Sequence, residues 1–401
     1  MNSSPFSAVP LAPRDPILGL NEAFGADTRP GKVNLGVGVY CDDAGRIPLL
    51  VAVRKAEAQR TAAAPARGYL PIDGLAQYNQ AVQSLLFGPA SELVTEKRVA
   101  TVQALGGTGA LKVGADLLKR VVPQAKVLIS DPSWENHRAL FEGAGFEVET
   151  YPYYDPATHG LRFDAMIATL KAAPANTIVV LHACCHNPTG VDLSTAQWDE
   201  IAQTCKAAGL IPFIDMAYQG FGDGIDADAV AVRRMAHAGI DFLVSSSFSK
   251  SFSLYGERVG ALSFVAADRD EAARVLSQLK RVVRTNYSNP PSHGGAVVAA
   301  VLASPELRLE WEQELAGMRD RIRAMRTGLV ERLKARGVTE DMSFVVRQRG
   351  MFSYSGLNAA QVDRLRDEFG IYAVSTGRIC LAALNSGNID RVADAVAAVM
   401  C

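Results

Sequence analysis

Lys250 lies in the stretch Ser245-Ser246-Ser247-Phe248-Ser249-Lys250-Ser251-Phe252, and Arg258 follows eight positions later. The apolar run Phe242-Leu243-Val244 predicts a short buried strand, which puts the lysine just past a strand end. Solvated lysines are usually flanked by charged or amide residues; this one is flanked by Ser and Phe. It is therefore a candidate for a desolvated amine of lowered pKa, able to form a Schiff base with an aldehyde. The neighbouring hydroxyls and Arg258 could hold a phosphate. Amine and phosphate cradle together suggest pyridoxal 5'-phosphate (PLP), although an ordinary loop lysine also fits this stretch taken alone.

Other predicted strand ends carry polar groups too. Val99-Ala100-Thr101-Val102 leads to Gly106-Gly107-Thr108-Gly109, then to a helix predicted from Ala110. Glycines that open a helix expose backbone N–H groups at the positive end of its dipole, which suits a phosphate. The spacing lacks the third glycine of a dinucleotide fingerprint, which counts against a nicotinamide enzyme. After Val127–Ser130 comes Ser133-Trp134-Glu135-Asn136-His137; the tryptophan could stack on a planar ring or fill the core. After Ile178–Leu181 comes His182-Ala183-Cys184-Cys185-His186-Asn187-Pro188-Thr189-Gly190. These residue types invite a zinc reading, and geometry argues against it. On a continuing strand His182 and His186 would stand roughly 13 Å apart, and Cys184 and Cys185 would face opposite ways. No metal is expected. Asn187-Pro188 predicts a tight turn that aims the asparagine amide.

After Leu210–Ile214 come Asp215 and Tyr218. A carboxylate ending a buried strand needs a partner, and a protonated pyridine nitrogen would be one; a helix N-cap is the other reading of Asp215. Tyr218 could donate to a ring oxygen. Arg284 and Arg378 could each bind a carboxylate bidentately, or lie on the surface. Val33 to Tyr40 reads as a Gly-rich strand whose glycines let backbone approach a ligand, or mark a bend.

These residues need a scaffold that gathers strand ends. From about Val99 to Phe264 strands alternate with helices, among them Asn136–Ala144, Thr195–Ala208 and Val230–Ala238. The alternation predicts an α/β large domain with a mostly parallel sheet flanked by helices, and a site at the strands' carboxyl ends. Leu309 to Leu333 predicts a long amphipathic helix with Trp311, Leu315, Met318, Ile322, Met325, Leu329 and Leu333 on one face. Short strands and helices near Ala359–Phe369 and Ile389–Met400 predict a smaller α+β domain. The expected division is an N-terminal arm over 1–14, a large domain over 48–310, and a small domain from 15–47 and 311–401. The chain of 401 residues is 48% hydrophobic and 21% charged, with net charge −1. No basic run or membrane-length apolar stretch occurs, so nucleic acid and membrane are not expected partners. The six cysteines show no disulfide spacing and the N-terminus no secretory pattern, which points to a reducing, cytoplasmic setting.

Ser247-Phe248-Ser249-Lys250 with Gly256-Glu257-Arg258-Val259-Gly260, His186-Asn187-Pro188-Thr189-Gly190, and Arg284 with Asn286-Tyr287-Ser288 form a specific set. With them the chain resembles fold-type I, class I PLP-dependent aminotransferases of the aspartate/aromatic subgroup, from about Asp15 to Met400. Arg349-Gly350-Met351-Phe352-Ser353-Tyr354 and the run from Ala360 to Arg366 look like the bacterial aromatic (tyrosine) branch. The resemblance implies that Lys250 holds PLP and moves the substrate proton. Asp215 would pair with the pyridinium nitrogen, supported by His137, while Asn187 and Tyr218 hydrogen-bond the ring oxygen and Trp134 stacks on the ring. Gly107, Thr108, Ser247, Ser249 and Arg258 would hold the phosphate. Arg378 would bind the substrate α-carboxylate beside Gly38 and Asn187. Tyr69 and Arg284 would reach into the neighbouring site of a homodimer, Arg284 to take a distal carboxylate.

The implied substrates are amino acids and 2-oxo acids, exchanged by a ping-pong mechanism. Within the subgroup, Ile47 and Leu70-Pro71 fit the aromatic branch. Val39, Thr108 and Asn289 fit the aspartate branch, and Cys41 and Gly68 fit neither. The expectation is an aromatic-amino-acid aminotransferase that also takes aspartate and uses 2-oxoglutarate; the alternative is an aspartate aminotransferase of broad specificity. A catalytically idle PLP fold is a third reading, disfavoured by the intact Lys250, Asp215 and Arg378.

Overall fold

Runs of β-branched and aromatic residues at Val99–Leu105, Ile178–His182, Ile211–Met216, Phe242–Ser247 and Val259–Val265 are buried along nearly their whole length. Strands buried on both faces must be covered by helices on both sides. The computed structural model, which describes residues 4–12 and 17–400, has that arrangement. Its main sheet has seven strands in the order Val99–Leu105, Val259–Val265, Phe242–Ser247, Ile211–Met216, Ile178–His182, Lys126–Asp131 and Glu147–Pro152. All pairings are parallel except those of Val259–Val265, which runs antiparallel to both neighbours. Successive residues point to opposite faces. Phe213, Leu243 and Leu262 therefore pack in one core, and Ile214, Val244 and Ala261 in the other.

Register decides what meets at the carboxyl edge. His182 pairs with Asp215, and Asp215 with Ser245. Three adjacent strands thus deliver a histidine, a carboxylate and the Ser245–Ser247 run to one level of the sheet.

The helix Pro305–Ala335 is the long amphipathic helix expected from Leu309 to Leu333. Ser304 caps it by accepting the N–H of Leu307, with proline in its first turn. Its Trp311 stacks on Phe252, ring centroids 4.6 Å apart, and the indole N–H donates to the Ser251 carbonyl at 2.6 Å. The helix therefore holds the backbone next to Lys250. Its Glu314 accepts the N–H groups of Val51 (2.7 Å) and Ala52 (3.1 Å), supplying a cap that the helix Val51–Ala63 lacks locally. The segment near residue 33 joins the C-terminal unit: Val33 pairs with Ile371 and Asn34 with Tyr372.

Four expectations need correction. Val33 to Tyr40 is not one strand; only Val33–Asn34 is, because the Asn34 side chain turns back to accept the N–H groups of Gly36 and Val37. The helix expected from Ala110 starts at Gly106, so the glycines are its first turn rather than a turn before it. Asp215 lies within its strand rather than beyond it or at a helix cap. Arg326, absent from the expected stripe of the long helix, is buried there, while Met325 packs partly buried against the core as expected. The arm expected over 1–14 and the start of the small unit at Asp15 fall partly on residues outside those described.

Trp311→Phe should keep the stack and orphan the Ser251 carbonyl. A loss of about 1–3 kcal/mol in urea unfolding is expected, the usual cost of a buried unsatisfied acceptor.

Candidate active site

The site forms where the carboxyl edge of the sheet meets the helix beginning at Gly106 and the C-terminal unit. Its cavity measures about 670 Å³ and is lined by Gly38, Gly107, Thr108, Trp134, Asn187, Asp215, Tyr218, Ser247, Ser249, Lys250, Arg258 and Arg378. Those residues come from several stretches spread between positions 38 and 378, and all were expected in the site. Tyr69 and Arg284 are not among them. Tyr69 is 94% exposed, and Arg284 stands exposed at the end of the helix Arg269–Asn286, bonded to Ser288.

The floor is an electrostatic chain. Asp215 accepts a hydrogen bond from His137 Nε2 at 3.0 Å, and Ser133 Oγ lies 2.9 Å from His137 Nδ1. A carboxylate only accepts, so Nε2 carries the proton. Burial pushes the Asp215 pKa up, but the His137 hydrogen bond and the nearby charge of Lys250 outweigh it and hold the group below the usual carboxylate range. Asp215 is therefore an anion in a dry site. Lys250 shows the opposite balance. Burial, reinforced by Arg258 and Arg378, lowers its pKa to about 8 against the pull of Asp215. Its ammonium group lies 4.9 Å from the centre of the Tyr218 ring. Burial raises the Tyr218 pKa despite Arg378, so its hydroxyl stays protonated and can donate.

One end of the cavity suits a phosphate. The 16-residue helix starting at Gly106 brings Gly107 and Thr108 of its first turn to the cavity wall, where the positive end of its dipole favours an anion. A side chain at Gly106 would strike the Arg258 guanidinium, and one at Gly107 would crowd Ser247. Small residues are thus required for the helix end and the arginine to converge. Arg258 Nη1 donates to the Tyr255 carbonyl at 2.9 Å and, more weakly, to Ser249 Oγ at 3.4 Å.

The other end suits a carboxylate. Arg378 is 1% exposed; Nη1 donates to Asn187 Oδ1 at 3.0 Å and Nη2 to the Gly36 carbonyl at 2.7 Å. The face of its guanidinium packs on Phe352 at 4.4 Å, and Gly38 abuts the same ring so closely that a Cβ would collide with it. The Arg378 Nε proton has no partner, and the one carboxylate near the guanidinium among the described residues, Glu135, stands 3.8 Å from Nη1. A buried guanidinium with an unpaired N–H is a binding site for an anion.

The residues fit PLP. A phosphate cradle, a lysine amine of lowered pKa, a buried carboxylate for the ring nitrogen and a donor hydroxyl surround one cavity of suitable size. Both ring nitrogens of His182 are also buried and unpartnered at its wall.

Sequence reasoning missed His182, Tyr255 and Phe352 as parts of the site. Tyr255 accepts the Tyr40 N–H at 2.9 Å and falls inside the Lys250–Arg258 motif, which was signal enough. The reason given against a metal needs correction. The chain leaves the strand after His182 and Cys185 has a left-handed backbone (φ +51°), so the His182 and His186 rings stand 4.3 Å apart, not at opposite ends of a strand. The two thiols likewise approach each other instead of facing apart. His137, His182 and Asp215 form one cluster of metal-ligand type among the described residues, with ligand atoms within 4.8 Å. In it His137 already donates to Asp215, so the arrangement reads as the support of a buried anion.

Fold and site together define a PLP enzyme of fold type I. The family model for class I and II aminotransferases matches residues 30–396. The chain is 66% identical over 395 residues to an aspartate aminotransferase of Pseudomonas aeruginosa, covering 98% of this chain and 99% of the relative. It is 54% identical to an aromatic-amino-acid aminotransferase of Escherichia coli, covering 98% and 100%. The crystal structure of an aromatic-amino-acid aminotransferase from Burkholderia pseudomallei covalently bound to pyridoxal phosphate superimposes with a TM-score of 0.97 at 69% identity, covering both chains fully. The chain belongs to the class I and II aminotransferases. Its cofactor is pyridoxal phosphate and its substrates are amino acids and oxo acids.

A lysine of lowered pKa is neutral above that pKa. In the apoprotein, acylation of Lys250 should therefore rise with pH to a midpoint near 8 rather than at the ordinary 10.5. A peptide-resolved labelling profile with its midpoint near 10.5 would remove burial as the controlling influence.

Proposed function

We propose that the protein transfers amino groups between an aromatic amino acid, tyrosine or phenylalanine and also aspartate, and 2-oxoglutarate, in ping-pong fashion. The observation that carries this reading is the convergence of Lys250, the Asp215–His137 pair and Arg378 on one cavity. Bound PLP supplies an electron sink for the charge left when the α-proton departs. The chain's own groups do the rest. Arg258, Ser247, Ser249, Gly107 and Thr108 hold the phosphate, and Trp134 packs on the ring. Asp215, anionic, keeps a proton on the ring nitrogen, and Tyr218 and Asn187 donate to the ring oxygen. Arg378, with Gly38 and Asn187 beside it, binds the α-carboxylate and so fixes which bond at the α-carbon faces Lys250. Lys250 Nζ, once neutral, takes the proton from that carbon and returns it to the neighbouring position.

Substrate breadth rests on what surrounds that core. Val37, Val39 and Phe352 give the cavity an apolar wall suited to an aromatic ring. Arg284 would serve distal carboxylates from across a homodimer, with Tyr69 reaching the partner's phosphate. Their exposure here, together with that of Phe6 and Leu11, supports a second copy covering them. The names of the relatives divide between aspartate and aromatic substrates, which favours one site accepting both and keeps a broad aspartate aminotransferase as the second reading. In the same scheme 48–310 make the large domain and 15–47 with 311–401 the small one, behind an arm over 1–14. The free cysteines among the described residues suit a cytoplasmic setting, and no helix of those residues is long and apolar enough to cross a membrane.

Lys250→Ala should abolish turnover, since no other neutral amine lines the cavity; normal activity would refute the assignment. Arg284→Leu should cost aspartate and 2-oxoglutarate roughly a hundredfold in kcat/KM, the weight of a charge-assisted bidentate contact, and phenylalanine far less. Equal losses would remove Arg284 from the distal carboxylate. The substrate order follows from half-reactions without an oxo-acid acceptor, read as the absorbance change of the bound cofactor with tyrosine, phenylalanine and aspartate in turn. A faster change at low aromatic concentration supports the aromatic reading; the reverse supports the aspartate reading.

A further inference from the structure

Arg326 belongs to the apolar stripe of the helix Pro305–Ala335 and is 2% exposed. Its partners are three backbone carbonyls: Nη1 donates to Val345 at 2.8 Å, and Nη2 to Gly350 at 2.7 Å and Phe352 at 2.6 Å. Among the described residues it makes no ion pair. Burial lowers its pKa to about 10, which leaves it charged at neutral pH. A dry guanidinium without a carboxylate is costly unless its protons are well bonded, and a hydrophobic side chain would fill a helix stripe more cheaply. The arginine therefore does something beyond filling the core.

What it grips is the corner where the carboxylate site is assembled. Phe352, whose carbonyl it binds, carries the ring on which the Arg378 guanidinium lies. The same ring closes against Gly38 and stands edge-on to Tyr218 at 6.0 Å. The Phe352 carbonyl also borders Gly190: a Cβ there would come within 2.8 Å of it, so the turn that carries Asn187 sits directly on this backbone. In addition, the Arg349 N–H donates to the Gly190 carbonyl at 2.7 Å. Arg378, Asn187 and the Gly36–Gly38 loop arrive from three separate parts of the chain, and each touches or adjoins residues 349–352.

We propose that Arg326 is a positioning residue for the substrate α-carboxylate: by pinning the Gly350 and Phe352 carbonyls to the long helix, it sets the Phe352 ring that holds Arg378 and Asn187 in binding register. The inference rests on the reading of Arg378 as the α-carboxylate site. Lysine cannot replace Arg326, because one ammonium on a flexible stem does not present the planar fork that reaches all three carbonyls.

The test uses the holoenzyme. Arg326→Lys should raise KM for phenylalanine and aspartate alike by roughly tenfold, the scale of a sub-ångström loss of register, with kcat within about twofold. The inhibition constant of 3-phenylpropionate, which offers Arg378 only a carboxylate, should rise in parallel, and the bound-cofactor absorbance should not change. A folded variant with unchanged KM, or one whose loss falls on kcat or on thermal stability alone, overturns the proposal. If Arg326→Lys does not fold, Phe352→Leu takes its place. It removes the ring from Arg378 and must give the same shift in KM for both substrates; an unchanged KM overturns the proposal. Arg378→Lys separates the two levels: if it leaves KM unaltered, the carboxylate reading itself fails, whereas a raised KM there with a normal KM in Arg326→Lys removes only the role of Arg326.

Discussion

The hydrogen bond from His137 to Asp215 is the interaction on which the site depends. A carboxylate in a dry pocket ordinarily takes up a proton, and a neutral Asp215 could neither hold a proton on a ring nitrogen nor offset the cations around it. The bond at 3.0 Å keeps it ionised. That anion shares one cavity with Lys250, Arg258 and Arg378. Parallel strand register places the carboxylate, and the histidine arrives from the helix that starts at Glu135. The anion pulls Lys250 toward its charged form, and burial with the two arginines outweighs that pull, lowering the amine's pKa to about 8.

Cations dominate the rest of the interior in an unusual way. Arg378 and Arg326 are both almost fully buried, and the hydrogen bonds they make go to backbone carbonyls and one asparagine rather than to carboxylates. Carbonyl dipoles stabilise a guanidinium without cancelling its charge, so the region keeps positive potential for an incoming anion. The two arginines meet the same phenylalanine from opposite sides, one at its ring and one at its carbonyl.

Much of this was legible in the sequence because the chemistry sits at strand ends, where apolar runs stop and polar residues begin. Lys250, Asp215 and the Gly106–Gly109 turn are each announced by the strand before them, and the helices Thr195–Ala208, Val230–Ala238 and Ala359–Phe369 start and stop where their patterns do. The failures have physical causes. Asn34 bonds its own backbone and ends a strand that β-propensity would extend. Cys185 adopts a left-handed conformation that no residue type there announces, and it folds two histidines together. Arg326 is invisible to any reading in which charge means surface, because its partners are carbonyls supplied from 19 to 26 residues away. Tyr69 and Arg284 were expected in the site, and neither lines the cavity of this chain.

The long helix is fastened to the chain beside Lys250 at Trp311, near its start, and to the carboxylate corner at Arg326. Fifteen residues of helix separate the two, roughly 22 Å. It therefore ties the backbone beside the lysine to the backbone that shapes the grip on a carboxylate through one continuous element. The two ends of the site are thus gauged against each other by the rise of a helix, a spacing that no loop between them has to set.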